Sequence, residues 1–199
     1  MTVVLLVEGE TETALRKHLK SFLDQRADAQ GRPKIALRTK DIMTLNEGKL
    51  RGRIRQELRD STVTAVVALI DVYPTFRSAE DAKAFLRRSA DNAPRFHAHA
   101  AQYDVEAWLL PYWEDICTRV GVTQRPLGTS PEMVDLERPP SQRLAELYQR
   151  ARNPYRKYVK TLEMSAILKG KDLRIAASLC SEFKALLNTL FTLGGLDPL

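Results

Sequence analysis

The chain has 199 residues, of which 44% are hydrophobic and 28% charged, proportions that indicate one globular domain and exclude a disordered or collagen-like chain. Lysines and arginines number 31 against 25 aspartates and glutamates, and the net charge of +6 favours a polyanionic partner such as nucleic acid, although many basic proteins bind none. The two cysteines, Cys117 and Cys180, have no paired spacing, which argues against a disulfide framework or zinc knuckle and for a reducing cytoplasm.

Membrane and export signals are not expected. The longest apolar runs fall short of the 18 or so residues that a membrane span needs. The first apolar run is short, lacks a basic leader and reaches Glu8, so no signal peptide is predicted.

The first residues predict a buried strand that turns sharply into a helix. Val3 to Val7 are continuously apolar, as in a parallel strand covered on both faces, and the run ends at Glu8 and Gly9. Apolar residues then recur at helical spacing from about Thr11 to Arg26. Ligands gather at the carboxyl ends of strands in open α/β sheets, so Glu8 is a candidate site residue; the alternative is a role at the positive end of the helix dipole.

The same arrangement occurs a second time. Val63 to Ile70 form the strongest predicted strand, and it ends at Asp71. If the two strands are parallel neighbours, Glu8 and Asp71 meet at one sheet edge. Two close carboxylates raise each other's pKa, and a hard divalent cation such as Mg²⁺ or Mn²⁺ removes that cost. The pair therefore predicts a metal site.

Between these strands the sequence predicts a second strand over Lys34 to Arg38 and a helix that opens at Asn46. The helix has a buried stripe and, beside it, a basic ridge. We interpret the ridge as a candidate contact to nucleic-acid phosphates, the alternative being an ordinary solvated face. Its members are Lys49, Arg51, Arg55 and Arg59.

A third acidic region follows a fourth predicted strand, Arg95 to Ala100, which is preceded by a helix over Ser78 to Asn92. A helix is predicted to begin at Tyr103, with Asp104 and Glu106 in or just before its first turn. These acids either cap the helix or extend the site formed by Glu8 and Asp71.

In the fourth strand, His97 and His99 share one face. A half-buried strand face explains the pair better than metal ligation, because the sequence offers no obvious further ligands.

The rest of the chain is predicted to be helical. We expect an α/β core over residues 1–120, a surface loop over 121–138 and a helical extension over 139–199 that packs on the core. Helices are predicted from Ser141, over Tyr155 to Leu168, and over Asp172 to Leu193. Basic residues interleaved with tyrosines suit single-stranded or distorted nucleic acid, and helix-capping charges with core tyrosines explain the same residues equally well. The candidate contacts here are Lys157, Lys160 and Lys169.

Taken together, these blocks resemble a known family. The segment from Val7 to Glu12, followed later by Ile70-Asp71, resembles the Toprim domain, the acid-bearing α/β module of topoisomerases, primases and overcoming-lysogenization-defect (OLD) nucleases. The blocks Tyr103 to Leu110, Pro139 to Leu144 and Tyr158 to Leu187 resemble a bacterial Toprim-like family of unknown function. Members of that family are often found beside ATPases in suspected phage-defence settings.

The resemblance implies a Toprim/Rossmann-like fold, with a mostly parallel sheet, helices on both faces and a helical C-terminal extension. It also implies a Mg²⁺- or Mn²⁺-dependent nuclease or phosphodiester-cleaving module, acting on nucleic acid in a bacterial phage-defence or DNA-maintenance assembly. Glu8, Asp71 and Glu106 would be catalytic and hold the metal, with Glu12 and Asp104 as further ligands. Glu8 would alternatively act as the general base.

One position departs from the Toprim pattern. A standard Toprim has a second aspartate two residues after the first, and this chain has Tyr73 there. Two-metal sites need carboxylates to hold both ions, so the departure favours one metal or compensation by another acid. It also supports the alternative function, a non-catalytic subunit that binds nucleic acid or an ATPase partner. The sequence indicates neither the type of nucleic acid nor the oligomeric state.

Overall fold

Four parallel strands form the sheet of this protein, in the spatial order β2-β1-β3-β4. The structure is a computed structural model that describes residues 1–42, 44–125, 130–133, 138–151 and 158–199. The strands are β1 (Thr2–Val7), β2 (Ala36–Asp41), β3 (Val63–Asp71) and β4 (Phe96–Ala101). The α/β fold class predicted from the sequence is confirmed.

The helices of the described residues lie between and after the strands. They are α1 (Glu10–Ala29), α2 (Glu47–Arg59), α3 (Ala79–Ser89), α4 (Trp113–Val120), α5 (Pro140–Gln149), α6 (Lys160–Ile167), α7 (Leu173–Leu179) and α8 (Ser181–Leu193). Short polar side chains start two of them as expected: Asn46 Oδ1 accepts from the amide of Lys49, and Ser78 Oγ accepts from the amide of Asp81. None of these helices is both long and apolar enough to cross a bilayer.

The two faces of the sheet bury different helices. Val3, Leu5 and Val7 of β1 point into a cluster with α1, α4 and the C-terminal helices, whereas Val4 and Leu6 point into a cluster with α2 and α3. Alternate residues of a strand face opposite sides, so a strand covered on both sides must be apolar throughout. This explains why β1 and β3 were recognisable from continuous apolar runs.

Strand β2 begins two residues later than the sequence suggests. The alternating pattern predicted Lys34 to Arg38, but the strand continues through the polar residues Thr39 and Lys40, which pair with Leu5 and Leu6 of β1. On an edge strand, the backbone ladder with the neighbour decides the register, and exposed polar side chains do not prevent it.

The C-terminal part also differs from the predicted helices. The helix expected over Asp172 to Leu193 is two helices, because Cys180 takes an extended conformation between them. The carboxylate of Glu132, which is remote in sequence, accepts hydrogen bonds from the Ser181 hydroxyl and the Glu182 amide. A second helix start at this point is therefore stabilised by a residue that local sequence cannot reveal.

Two further segments differ from expectation. The helix predicted to begin at Tyr103 is a 3₁₀ helix over Val105–Tyr112 that leads into α4. The helix predicted from Tyr155 begins at Lys160, and residues 152–157 lie outside the described part. Within the segment 121–138, the described residues include a short 3₁₀ turn, Pro131–Met133.

The packing of α8 predicts that the C-terminal helices are integral to the core. Phe183 is 1% exposed, and its ring centroid lies 4.6 Å from that of Trp108. We expect Phe183→Ala to lower the free energy of unfolding by about 3–5 kcal/mol in a single transition, because it leaves a cavity in the core. Urea unfolding followed by circular dichroism measures this.

The control for that experiment is Leu162→Ala, which removes a side chain that is 63% exposed and should change stability by less than about 0.5 kcal/mol. Two separate transitions in the parent, or equal effects of the two substitutions, would contradict a shared core.

Candidate functional site

The carboxyl edge of the sheet contains a topological switch point. The chain passes from β1 to β2 on one side and then to β3 on the other side, so the connecting helices cover opposite faces and leave a crevice between the ends of β1 and β3. Glu8 directly follows β1, and Asp71 is the last residue of β3. The fold therefore places both acids at the crevice.

Three further carboxyl groups reach the same place. Glu12 is in the first turn of α1, and Asp104 and Glu106 follow β4 at the start of the 3₁₀ helix. Asp71 is repelled electrostatically by each of the other four carboxyl groups, which shows that they share one environment. We call this group the acid cluster: Glu8, Glu12, Asp71, Asp104 and Glu106.

Main-chain amides orient the acid cluster. The amide of Asp71 donates to Glu8 Oε2 at 3.3 Å, and the amide of Val105 donates to Asp71 Oδ1 at 3.0 Å. The amide of Ser141, in α5, donates to Asp104 Oδ2 at 3.1 Å. Backbone groups move less than side chains, so the carboxylates are held in place by the sheet, the 3₁₀ helix and α5 together.

Several oxygen atoms of the acid cluster remain unpaired. Glu106 is completely buried, and neither of its carboxylate oxygens receives a hydrogen bond in the described residues; the same holds for Asp104 Oδ1. Lys160 Nζ lies 3.2 Å from Glu106 Oε1, an ion-pair contact that lacks hydrogen-bond alignment. Buried carboxylates are normally well satisfied, so these oxygens indicate a place for a ligand.

The pKa values reflect this crowding. Burial raises the pKa of Asp71 well above its ordinary value, and repulsion by the other carboxylates raises it further. Burial and then repulsion by Asp104 raise the pKa of Glu106 to about 7, against the opposing effect of Lys160. Burial is also the main reason that the pKa values of Glu8 and Glu12 are raised.

Gly9 leaves room for the acid cluster. Its φ of −147° is open to any residue, so backbone conformation does not require glycine here. A Cβ atom at this position would lie 3.2 Å from Glu12 Oε2, because the Glu12 carboxylate folds back over Gly9. A larger residue would displace that carboxylate.

Tyr103 introduces backbone strain next to two of the acids. Its φ of +69° lies in the left-handed region, which costs a residue other than glycine about 1–2 kcal/mol. The amide of Tyr73 donates to the Tyr103 carbonyl at 2.7 Å, so the ends of β3 and β4 remain connected beyond the sheet. The turn directs Asp104 and Glu106 toward the crevice.

The basic residues predicted to bind nucleic acid lie in different parts of the structure. Lys160 contacts Glu106 of the acid cluster, and Lys49 lines a cavity at the end of β2. Arg51 and Arg55 both form ion pairs with Asp91, at 3.3 and 2.8 Å.

The other basic candidates lie away from the site or outside the described chain. Arg59 is exposed at the last residue of α2, which runs back toward the opposite sheet edge, and Lys169 is exposed beyond α6. Lys157 lies outside the described residues.

Sequence reasoning missed the surroundings of the acids. It did not connect Ser141 with Asp104, and it assigned Lys160 to nucleic acid without its contact to Glu106. It also missed the Tyr158 hydroxyl, which is buried without a hydrogen-bond partner in the described residues. Burial, and then the nearby charges of Glu106 and Asp104, raise the pKa of this hydroxyl. All three residues reach the site through the packing of the C-terminal helices, which has no local sequence signal.

The histidines of β4 lie elsewhere. His99 Nε2 lies 3.0 Å from Thr189 Oγ1, and burial lowers the pKa of His99 to about 3, so its ring is neutral. Across the described ranges, no three His, Cys, Asp or Glu side chains converge closely enough to hold a metal ion as they stand.

The acid cluster predicts a characteristic pH dependence. Glu106 has an ordinary pKa of 4.5 and a folded-state pKa of about 7, so the folded protein binds more protons than the unfolded chain between these values. Stability should therefore fall as pH rises through this window. Glu106→Gln should raise the free energy of unfolding by about 1–3 kcal/mol near pH 8 and flatten the pH profile.

The control is Glu146→Gln, which replaces a half-exposed acid of α5 that contacts Arg150 outside the cluster and should shift stability by no more than about 0.5 kcal/mol. Chemical unfolding of parent and variants across the pH range provides the comparison. A Glu106→Gln protein that is less stable near pH 8, with an unchanged profile, would show that this carboxylate is not repelled.

Comparison with known proteins supports the fold and assigns the family. The solved C-terminal region of the Burkholderia pseudomallei OLD protein is similar, with a TM-score of 0.52 and 14% identity over 93% of this chain and 94% of that one. At this identity the likeness concerns the fold alone. No curated protein matches the sequence. The profile of the family described as domain of unknown function (DUF4276) matches residues 7–191, and the chain belongs to this family.

Proposed function

We propose that the protein is a Toprim-like module that cleaves phosphodiester bonds of nucleic acid with the help of Mg²⁺ or Mn²⁺. One observation carries the proposal: five carboxyl groups lie at the switch point of a parallel sheet, and two of them, Asp104 and Glu106, are buried with oxygens that receive no hydrogen bond from the described residues. The family membership, the OLD-like fold and the resemblance of the Glu8 and Asp71 motifs to Toprim add support.

The donor set fits a hard divalent cation. Such ions prefer carboxylate oxygens, and here unpaired oxygens of Glu106 and Asp104 lie among further carboxylates. Glu8, Asp71 and Glu106 would hold the ion, with Glu12 and Asp104 as further ligands. Since no three of these side chains converge as they stand, binding requires rotation of the longer ones, Glu8 and Glu106 foremost. When bound, the ion activates water and stabilises charge on the leaving oxygen.

Charge balance favours a cation where the proposed cleavage takes place. Among the described residues, Lys160 is the one lysine in ion-pair contact with the acid cluster, so without added positive charge the cluster repels a phosphate placed against it. A cation reverses this repulsion and also removes the mutual repulsion of the acids. Metal binding and the placement of a phosphate at the acid cluster are therefore expected to depend on the same residues.

Two side chains have distinct roles in the proposal. Glu8 is exposed at the crevice and has a raised pKa, so it is placed to accept a proton from an attacking water. With a cation held at Glu106, the ammonium group of Lys160 would be free of its ion pair and would donate to a phosphate oxygen. The Lys160 side chain is 49% exposed, so it has room to move.

Tyr73 favours a second candidate function. Its side chain is 39% exposed and stands where a standard Toprim has its second aspartate, so one of the usual metal ligands is replaced. A protein that binds nucleic acid at this edge without cleaving it is consistent with that replacement. An association with an ATPase in phage defence rests on the family resemblance alone.

Cleavage assays with labelled single-stranded DNA, duplex DNA and RNA test the proposal. We expect Mn²⁺-dependent products from the parent protein and none above background from Glu8→Ala or Asp71→Ala. Lys160→Ala should be slower by about 10²-fold, the usual effect of removing one donor to developing charge.

The matched control is Glu10→Ala, which removes an exposed acid from the first turn of α1 outside the cluster and should leave cleavage unchanged. Binding of these substrates without cleavage in any metal would support the non-catalytic alternative. Equal cleavage by Asp71→Ala and the parent would contradict the assigned site.

A further inference from the structure

A cavity lies beside the acid cluster, at the carboxyl end of β2. It has a volume of about 650 Å³, within the range of sites for small ligands. Since β2 neighbours β1 in the sheet, this cavity and Glu8 open at the same edge. Thr13, in the first turns of α1, lines the cavity and connects it with the start of the helix that carries Glu12.

The side chains that line this cavity, which we call the β2 cavity, include more cations than carboxylates. Its charged residues are Lys40, Lys49, Arg53 and Asp41, so cations outnumber the single carboxylate. The remaining lining consists of Thr13, Thr39, Ile42, Thr44 and Gln56.

The cations of the β2 cavity differ in how they are engaged. Arg53 Nε lies 3.5 Å from Glu57 Oε1, so its charge is partly compensated. The ammonium groups of Lys40 and Lys49 form neither an ion pair nor a hydrogen bond with the part of the chain that the structure describes. Both side chains belong to exposed residues. These two lysines are therefore available to an anionic ligand.

We propose that the β2 cavity binds one nucleotide unit of a single-stranded nucleic acid through its phosphate, next to the bond held at the acid cluster. This proposal rests on the proposed function, since it assigns a position to a neighbouring part of the same substrate. Lys40 and Lys49 contact the phosphate, and threonine hydroxyls and Gln56 contact the phosphate and sugar.

The shape and chemistry of the β2 cavity define the ligand class. A concave site of this size has room for a single nucleotide unit, which an unpaired strand can turn into it more readily than a paired and stacked duplex can. Contacts to phosphate and sugar carry no base information, so binding through Lys40, Lys49 and the threonine hydroxyls is independent of base identity. The lysines also offset the negative potential of the acid cluster for an approaching strand.

Binding of a fluorescent single-stranded oligothymidylate in EDTA tests the β2 cavity without metal or cleavage. We expect the double variant Lys40→Ala/Lys49→Ala to bind more weakly than the parent, with a salt slope smaller by about 1.4, which corresponds to two lost phosphate contacts on a single strand. Oligoadenylate should show the same loss, and duplex DNA a smaller one.

A double variant Lys17→Ala/Lys184→Ala is the matched control, because it removes the same charge from exposed positions outside the cavity. Equal affinities and salt slopes for the two double variants would overturn the proposal, as would a parent that binds no single strand.

Cleavage assays distinguish failure of the proposed function from failure of the cavity proposal. Asp71→Ala should lose cleavage in Mn²⁺ but bind the strand in EDTA at least as tightly as the parent, because Asp71 does not line the β2 cavity and its removal adds no negative charge. If the parent binds through Lys40 and Lys49 yet cleaves nothing, the catalytic function is wrong and the β2 cavity remains a binding site. If the Lys40→Ala/Lys49→Ala variant cleaves with the same KM as the parent, the cavity proposal is wrong and the catalytic one stands.

Discussion

Mutual repulsion among five carboxyl groups at the end of a buried sheet is the constraint around which the rest of this structure is arranged. Two parallel strands fix Glu8 and Asp71 in the crevice, and main-chain amides orient them. Burial first, and then this repulsion, raise the pKa values of Asp71 and Glu106 in the folded protein. A fold under selection for stability alone has no need of such a cluster, and a cation or proton is the simplest way to relieve it.

The strands of the sheet could be predicted because the patterns that indicate them lie within short stretches of sequence. Continuous apolar runs gave β1 and β3, since strands covered on both faces cannot alternate with polar residues. Asn46 and Ser78 marked helix starts through their own side-chain hydrogen bonds. The break at Cys180 was not predictable, because the carboxylate that stabilises the start of α8 comes from Glu132.

The acids of the candidate site followed from the sheet, and their environment did not. Parallel neighbours share a carboxyl edge, so the acids that end two apolar runs must lie close together. Lys160 and Ser141 come from helices, and Tyr158 from the residues just before α6; no local pattern encodes the packing of these segments on the α1 face. For the basic ridge of α2, the spacing of the residues suggested contacts to phosphates. The spacing could not show that Asp91, which follows a different helix, pairs with Arg51 and Arg55.

The most direct measurement of the central claim is an anomalous difference map from crystals soaked in Mn²⁺. A divalent-cation site at the acid cluster predicts a peak within about 2–2.5 Å of carboxylate oxygens from Glu8, Asp71 and Glu106, with Lys160 moved away from Glu106. A map in which the cluster is well ordered and open to solvent, with no peak there and Lys160 still in contact with Glu106, would contradict the account.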